Sequence, residues 1–309
     1  MKVVVLAGGT GGAMLAAGFL SLLPGRDLTV IANTADDDEF WGLLVSPDVD
    51  AVVYRLAGVF NEASGYGVKD DSFHVLDALG RLGEPAWFRI GDRDFATHLA
   101  RSEMLRSGKR LTEASIELCR RWGIEARVLP MTDDRVRTRF VTDRGVLSFQ
   151  EYFVRERLGP TLRAIELDGI ESARPTPEVL SAVAEADLVV IGPSNPLISI
   201  APIVKLIGAN LPRERTVAIT PIVRGAALKG PTVAMLRTTG VDASPVGVAA
   251  MYAGIAGAFV VDQRDAELAT AIEALGYRAL VCDTVMKDGG GQLAVEILAA
   301  FEGAGAGER

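Results

Sequence analysis

Cysteine and histidine are scarce in this chain. Two of each occur in 309 residues, Cys119 and Cys282, His74 and His98. Two isolated cysteines form neither a zinc-ligand spacing nor a disulfide framework, so both are expected reduced and packed in a cytoplasmic protein. Neither histidine has a partner at metal-ligand spacing. Positive charge is also in deficit: the formal net charge is -8. An acidic chain repels a phosphate backbone, which excludes nucleic acid as a general partner. A small anion can still be held by local N–H groups and arginines. A Gly-Lys-Ser/Thr sequence and a Gly-x-Ser-x-Gly elbow are both missing, which argues against a P-loop and against Ser–His–Asp hydrolysis.

Uncharged runs are few. The first, Val3–Leu23, superficially resembles a signal peptide, but Gly8-Gly9-Thr10-Gly11-Gly12 in its middle suits a strand–loop–helix instead. The second, Ser244–Val261, approaches the length of a membrane span. It holds Gly247, Gly254 and Gly257 and lies between Asp242 and Asp262 without basic anchors. A buried helix followed by a buried strand at Ala258–Val261 is the expectation, and no membrane partner is expected.

Apolar residues make up 49 % of the chain, enough for a large core. Lys2–Ala7 reads as a central parallel strand, Ala13–Leu23 as a helix ended by Pro24-Gly25, and Leu28–Ala32 as a second strand. That order is a βαβ unit and predicts an α/β fold with a doubly wound, mainly parallel sheet. Leu188–Ile191, Thr216–Ile219 and Ala279–Cys282 extend the sheet, with helices around Pro177–Ala186 and Gln292–Phe301. Thr97–Trp122 is largely helical. Between 135 and 154 the pattern changes to period two, with a turn at Thr142-Asp143-Arg144-Gly145, as in an antiparallel hairpin. A single domain follows, with a core at about 1–60 and 175–309 and an inserted mixed α/β lid at about 61–174. The glycine- and alanine-rich tail 302–309 is expected to fray.

Four stretches carry candidate chemistry. Gly8, Gly9, Thr10, Gly11 and Gly12 lie between a strand and a helix, where N–H groups and a positive helix end suit an anion. A merely tight turn is the plainer reading. The dinucleotide fingerprint fails, because Met14 stands at its third glycine and Asn33 where an acidic ribose ligand belongs. Asp36, Asp37, Asp38 and Glu39, then Asp48 and Asp50, follow the second strand. Carboxylates beside an anion loop repel it and each other, a conflict that Mg²⁺ with oxygen ligands resolves. The alternative is a solvated acidic loop. Trp87, Phe88 and Arg89 before Gly91-Asp92-Arg93-Asp94 suit either a planar ring with a polar edge or a strand end with a structural salt bridge. The loop Gly192–Ile200 offers Ser194, Asn195 and Ser199 between two prolines, for a nucleotide or as a rigid turn. The polar cluster Met131–Arg135 receives no chemical assignment.

These blocks, with Phe149-Gln150-Glu151 and Asp283-Thr284-Val285-Met286, occur in the order found in the CofD family and span nearly the whole chain. The sequence resembles that family, the 2-phospho-L-lactate transferases of coenzyme F-420 biosynthesis. The resemblance implies a Rossmann-like core with a lid. It implies transfer of a phospho-acid group, from a guanosine diphosphate ester of lactate or phosphoenolpyruvate to the ribityl hydroxyl of the deazaflavin FO, with release of GMP. It further implies catalysis by Asp48 and Asp50, with Mg²⁺ on some of Asp36, Asp37, Asp48 and Asp50. Asp50 and Arg89 would contact the deazaflavin beside Trp87 or Phe88. The Gly8–Gly12 loop with Ser194, Asn195 and Ser199 would hold the nucleotide and phosphates, and the enzyme would be a homodimer. Ala35 before three aspartates and a glutamate departs from the family pattern and leaves the choice of metal ligand open. Asp48 and Asp50 are expected to be dispensable for folding. The main rival is a YvcK-like nucleotide-sugar-binding regulator. In that family the acidic pair runs into a Gly-Gly-Ser-Ser-Gly stretch, where this chain has Asp38-Glu39-Phe40-Trp41-Gly42. An NAD-dependent oxidoreductase is disfavoured by the broken fingerprint.

Overall fold

The computed structural model describes residues 1–302, so most of the glycine-rich tail lies outside the described residues. Continuous aliphatic runs decide the central sheet. The chain begins β1 (Val3–Ala7), α1 (Gly9–Leu20), β2 (Leu28–Ala32), β3 (Asp38–Phe40), β4 (Leu43–Val45) and α2 (Pro47–Leu56). It continues α3 (His74–Arg81), α4 (Asp92–Arg106), α5 (Leu111–Arg121), β5 (Arg127–Pro130), β6 (Arg137–Thr142), β7 (Gly145–Ser148) and β8 (Leu162–Asp168). Then follow α6 (Pro177–Glu185), β9 (Leu188–Ile191), α7 (Ala201–Ile207), β10 (Thr216–Ile219), β11 (Ile222–Val223) and β12 (Ala226–Ala227). The last elements are α8 (Thr232–Thr238), α9 (Pro245–Met251), β13 (Ala258–Asp262), α10 (Ala269–Glu273), β14 (Arg278–Cys282) and α11 (Gly291–Glu302).

Seven parallel strands lie in the order β14-β13-β10-β9-β1-β2-β5. Side chains alternate across β1. Val3, Val5 and Ala7 pack on one face with Leu15 and Phe19 of α1, Val52 and Val53 of α2, and Ile297 of α11. Val4 and Leu6 pack on the other with Val183, Ile203 and Val248. Both faces are covered, which is why the strands read as unbroken apolar runs. The N-terminal strands build outward from β1 in one direction and the later strands in the other. The switch between β1 and β9 opens a crevice at the carboxyl ends, where open α/β sheets bind ligands.

Three boundaries differ from those expected. Arg127–Pro130 falls within the stretch assigned to the lid, yet it pairs in parallel with β2 as the edge of the central sheet. Its run is short and follows an amphipathic helix, so periodicity alone gave it no weight. Helix α1 starts at Gly9 rather than Ala13, so the glycines form its first turn. The period-two segment forms the sheet β7-β6-β8. Its returning strand stops at Ser148 and becomes a π-helical turn, Glu151–Arg155. Phe149, Tyr152 and Phe153 there gather around Phe140, a contact that a continued strand would break. Cys119 and Cys282 are both free and buried. Among the described residues no helix is long and apolar enough to cross a membrane.

Helices α1 and α11 cross where Gly18 meets the turn before α11. A Cβ at Gly18 would lie 2.3 Å from the Gly290 carbonyl oxygen. Gly18→Ala is therefore expected to destabilise the fold by about 1–3 kcal/mol, the usual cost of overpacking. Denaturant unfolding checks this; an unchanged midpoint would mean that the crossing is looser than described.

Candidate functional site

The crevice floor is made of two loops in van der Waals contact. A Cβ at Gly8 would lie 2.4 Å from Ser199 Cβ, one at Gly11 2.8 Å from the Pro193 carbonyl oxygen, and one at Gly12 2.7 Å from Ala7 Cβ. Gly8 and Gly11 are thus required by the approach of the β9 loop, and Gly12 by its packing on Ala7 at the end of β1. Ser194 Oγ accepts weakly from the N–H groups of Gly8 and Gly12, at 3.4 and 3.2 Å. Asn195 caps the π-helical turn Pro196–Ile200 by accepting from Leu197 N at 2.9 Å. Ser194 and Ser199 are buried against the glycine loop.

The carboxylates divide into two buried groups. Asp48, in the first turn of α2, accepts from Gly9 N at 2.6 Å and from Asn33 Nδ2 at 2.9 Å. The same Asn33 nitrogen donates to Asp36 Oδ2 at 3.1 Å, and Thr138 of β6 donates to Asp36 Oδ1 at 2.7 Å. One amide thus bridges two carboxylates. Burial and the neighbouring Asp48 charge push Asp36 well above the usual carboxylate range. Burial pushes Asp48 up to about 6, held back by the Asn33 amide and the Gly9 N–H. Asp37 turns elsewhere. Ser46 donates to it at 2.7 Å, and it lines neither pocket of the crevice. Burial outweighs Arg137 and lifts it to about 8.

The second group centres on Asp50, one helical turn from Tyr54. Arg101, fully buried, grips Asp50 through both guanidinium nitrogens, the Nη1 contact at 3.1 Å. His98 Nδ1 lies 3.5 Å from Asp50 and its Nε2 3.1 Å from Asp94, while the Tyr54 hydroxyl donates to Asp94 at 2.7 Å. Burial raises Asp94, but His98 and Tyr54 outweigh it and leave the carboxyl below its ordinary value. Asp50, Asp94 and His98 each offer an atom within 4.8 Å of the others, a possible metal cluster. Arg101 already supplies positive charge there, whereas the Asp36–Asp48 pair has no cationic partner among its hydrogen bonds.

Two pockets meet at Asp48. One, of about 410 Å³, is lined by Trp87, Phe88, Arg89, Asp50, Tyr54 and His98 among others. The other, of about 440 Å³, is lined by Gly8–Gly11, Asp36, Ser194, Asn195 and Ser199 among others. Gly9, Thr10, Asp48, Gly65 and Phe149 belong to both. Phe88 stacks on Phe40 at 4.0 Å and Trp87 meets Phe40 edge-on, so the aromatic wall is preformed. Arg89 lies over the Phe73 ring at 4.3 Å. The Gly91–Asp94 block is largely structural: Asp92 accepts from the backbone N–H groups of His74 and Val75 and so ties α3 to α4. Asp133 and Asp134 are also structural, capping α5 at Thr112 N and bonding Arg174 N.

Sequence reasoning undervalued Asn33 and passed over Tyr54, Arg101, Thr138 and Gln150, whose Nε2 donates to the Asp36 carbonyl at 3.3 Å. A signal was present for some of them. Asp50 and Tyr54 are four apart on α2, and Asp94, His98 and Arg101 are spaced four and three on α4, so each set shares one helix face.

Sheet order and paired pockets define an α/β protein of Rossmann-like build, with a polar crevice at its topological switch. The chain belongs to the CofD family: residues 3–296 match the family model described as 2-phospho-L-lactate transferase CofD. A phosphoenolpyruvate transferase of Streptomyces avermitilis is 40% identical over 317 residues, covering 98% of either chain. A 2-phospho-L-lactate transferase of Methanosarcina acetivorans is 38% identical, covering 92% of this chain and 93% of its own. A solved structure of a UPF0052-family protein from Bacillus halodurans matches with a TM-score of 0.59 at 19% identity, over 96% of this chain and 98% of that one. That likeness concerns the fold.

The buried Asp50–Arg101 pair bears on the expectation that Asp50 is dispensable for folding. Removing either partner leaves a buried charge alone, so Asp50→Ala and Arg101→Leu are each expected to cost about 3–5 kcal/mol. Replacing both by leucine should recover part of that loss. Equilibrium unfolding reads the result; single variants as stable as the parent would contradict the buried pair.

Proposed function

We propose that the chain transfers a phospho-acid group from a guanosine diphosphate ester of lactate or phosphoenolpyruvate to the ribityl hydroxyl of FO, in coenzyme F-420 biosynthesis. One observation carries this reading: an aromatic pocket and a loop-lined pocket share the carboxylate of Asp48. A flat acceptor suits the first pocket, where Trp87 and Phe88 face its ring and Arg89 its polar edge. The guanosine diphosphate ester suits the second, between the glycine loop and Ser194, Asn195 and Ser199. The acceptor hydroxyl then meets the phosphorus at the shared wall.

The acceptor oxygen attacks the phosphorus that bears the acid, and the bond from that phosphorus to the GMP oxygen breaks in line. Asp50 accepts the hydroxyl hydrogen bond, and the released proton passes to solvent. Arg101 holds Asp50 in place, and Tyr54 and His98 hold Asp94 behind it. GMP is a good leaving group, so positioning and charge neutralisation are the main tasks. Asp36 and Asp48 fit Mg²⁺: both are buried oxygen donors and share one neutral amide, too little compensation for two anions. When bound, Mg²⁺ supplies the positive charge that a phosphoryl transfer site needs.

The test is an endpoint assay by mass spectrometry with FO, Mg²⁺ and either guanylylated lactate or guanylylated phosphoenolpyruvate. A new phosphodiester with GMP is expected, the faster tube naming the acid. A folded protein giving no product with either donor would defeat the reading and favour a nucleotide-sugar-binding regulator.

A second expectation concerns pH. Asp36, Asp37 and Asp48 all have folded-state pKa values above 3.8, so the native state binds more protons than the unfolded chain between about pH 4 and 8. In EDTA the stability contributed by these groups therefore falls as pH rises through that window. Mg²⁺ competes with those protons, so it should raise the melting temperature more at pH 8 than at pH 5. An equal shift at both pH values would remove this pair as the cation site.

A further inference from the structure

The loop-lined pocket holds two carboxylates, Asp36 and Asp48, and one cationic side chain, Lys229. The other pocket has Arg89 and Arg157. A guanylylated phospho-acid carries two phosphates and a carboxylate, so its pocket faces a large negative charge with a single fixed cation. Lys229 is placed there by a dedicated device. Strands β11 and β12 form a two-residue hairpin at Arg224-Gly225, both with positive φ, which departs from the carboxyl end of β10. Asp265, after β13, accepts from Arg224 N at 2.7 Å and anchors the hairpin tip. Leu228 N donates to the Pro221 carbonyl at 3.1 Å and closes its base. Gly230, with φ of 66°, then turns the chain into α8, whose first residue Thr232 also lines the pocket. Among the described residues the Lys229 ammonium forms no salt bridge.

We propose that Lys229 binds the donor's anionic groups, fixing the guanylylated acid in the loop-lined pocket with a charge that the acceptor does not use. This rests on the transfer reading above. An ammonium on a flexible stem takes a phosphate or a carboxylate equally, so the chemistry shared by the two is an oxyanion of the donor.

The test uses the full-length protein with Lys229→Met, which keeps the stem and removes the charge, and Lys229→Arg, which restores a cation. Lys229 is exposed, so folding is not at stake. A charge-assisted hydrogen bond accounts for roughly a tenfold to hundredfold change in affinity. In Lys229→Met the KM for the donor is expected to rise by that factor, with the KM for FO at saturating donor unchanged and partial recovery in Lys229→Arg. Calorimetric titration with GDP, which carries both phosphates and lacks the acid, separates the two oxyanions. Weakened GDP binding assigns the contact to phosphate, and unchanged GDP binding with weakened donor binding assigns it to the acid's carboxylate. A donor KM and donor affinity equal to the parent's would overturn the proposal, as would a matching rise in the KM for FO. If the parent binds the donor without turnover, the transfer reading fails, and donor affinity in Lys229→Met still decides the role of this lysine.

Discussion

The absence of side chains at Gly8 and Gly11 is the constraint on which the crevice depends. Without a Cβ at those positions the β1 loop lies directly on the β9 loop, and the sheet can switch direction between β1 and β9 with its ligand loops touching. That contact brings Gly9 N within reach of Asp48 and carries Ser194 and Ser199 to the same floor. The glycine run, read first as an anion cradle, is thus also a packing device. Two of its N–H groups are already directed at Ser194, so the polar surface offered to a ligand comes from both loops together.

Electrostatics then separates two tasks that the sequence shows as one acidic stretch. Asp36 and Asp48 are left with neutral donors, a costly arrangement in a buried place and one that invites a cation. Asp50 is matched by the buried guanidinium of Arg101. Two positions apart on the same helix, Asp48 and Asp50 point into different networks because α2 rotates its side chains by about 100° per residue. Asp37, next to Asp36 in sequence, accepts from Ser46 and lines neither pocket.

Much of the fold was legible because the strands are buried on both faces. Leu188–Ile191 and Thr216–Ile219 stand where their apolar runs place them. Strand β5 was not, since four residues after an amphipathic helix carry no periodicity. In the site, the glycine loop, Asp36, Asp48, Asp50 and the Trp87–Arg89 aromatics are brought to one crevice. Arg101 was invisible because an arginine on a helix is ordinarily exposed. Its burial follows from tertiary pairing with a residue 51 positions away. Asn33 was read only for what it was not, an acidic ribose ligand, and its amide bridge required the coordinates of both carboxylates.

Both walls of the loop-lined pocket include a π-helical turn. Ile200 N donates to the Asn195 carbonyl at 3.1 Å and Glu156 N to that of Glu151 at 2.8 Å, each spanning five residues. Such a turn contains one residue more than an α-helical one. Deleting that residue would restore the ordinary turn and swing everything beyond it by about 100°. The Ser199 side chain would leave the space above Gly8, and the wall would present a different neighbour. The shape of this side of the crevice is thereby written in residue count as well as residue type. A one-residue gap at either turn would reshape the wall, a change that a comparison of aligned side chains alone would overlook.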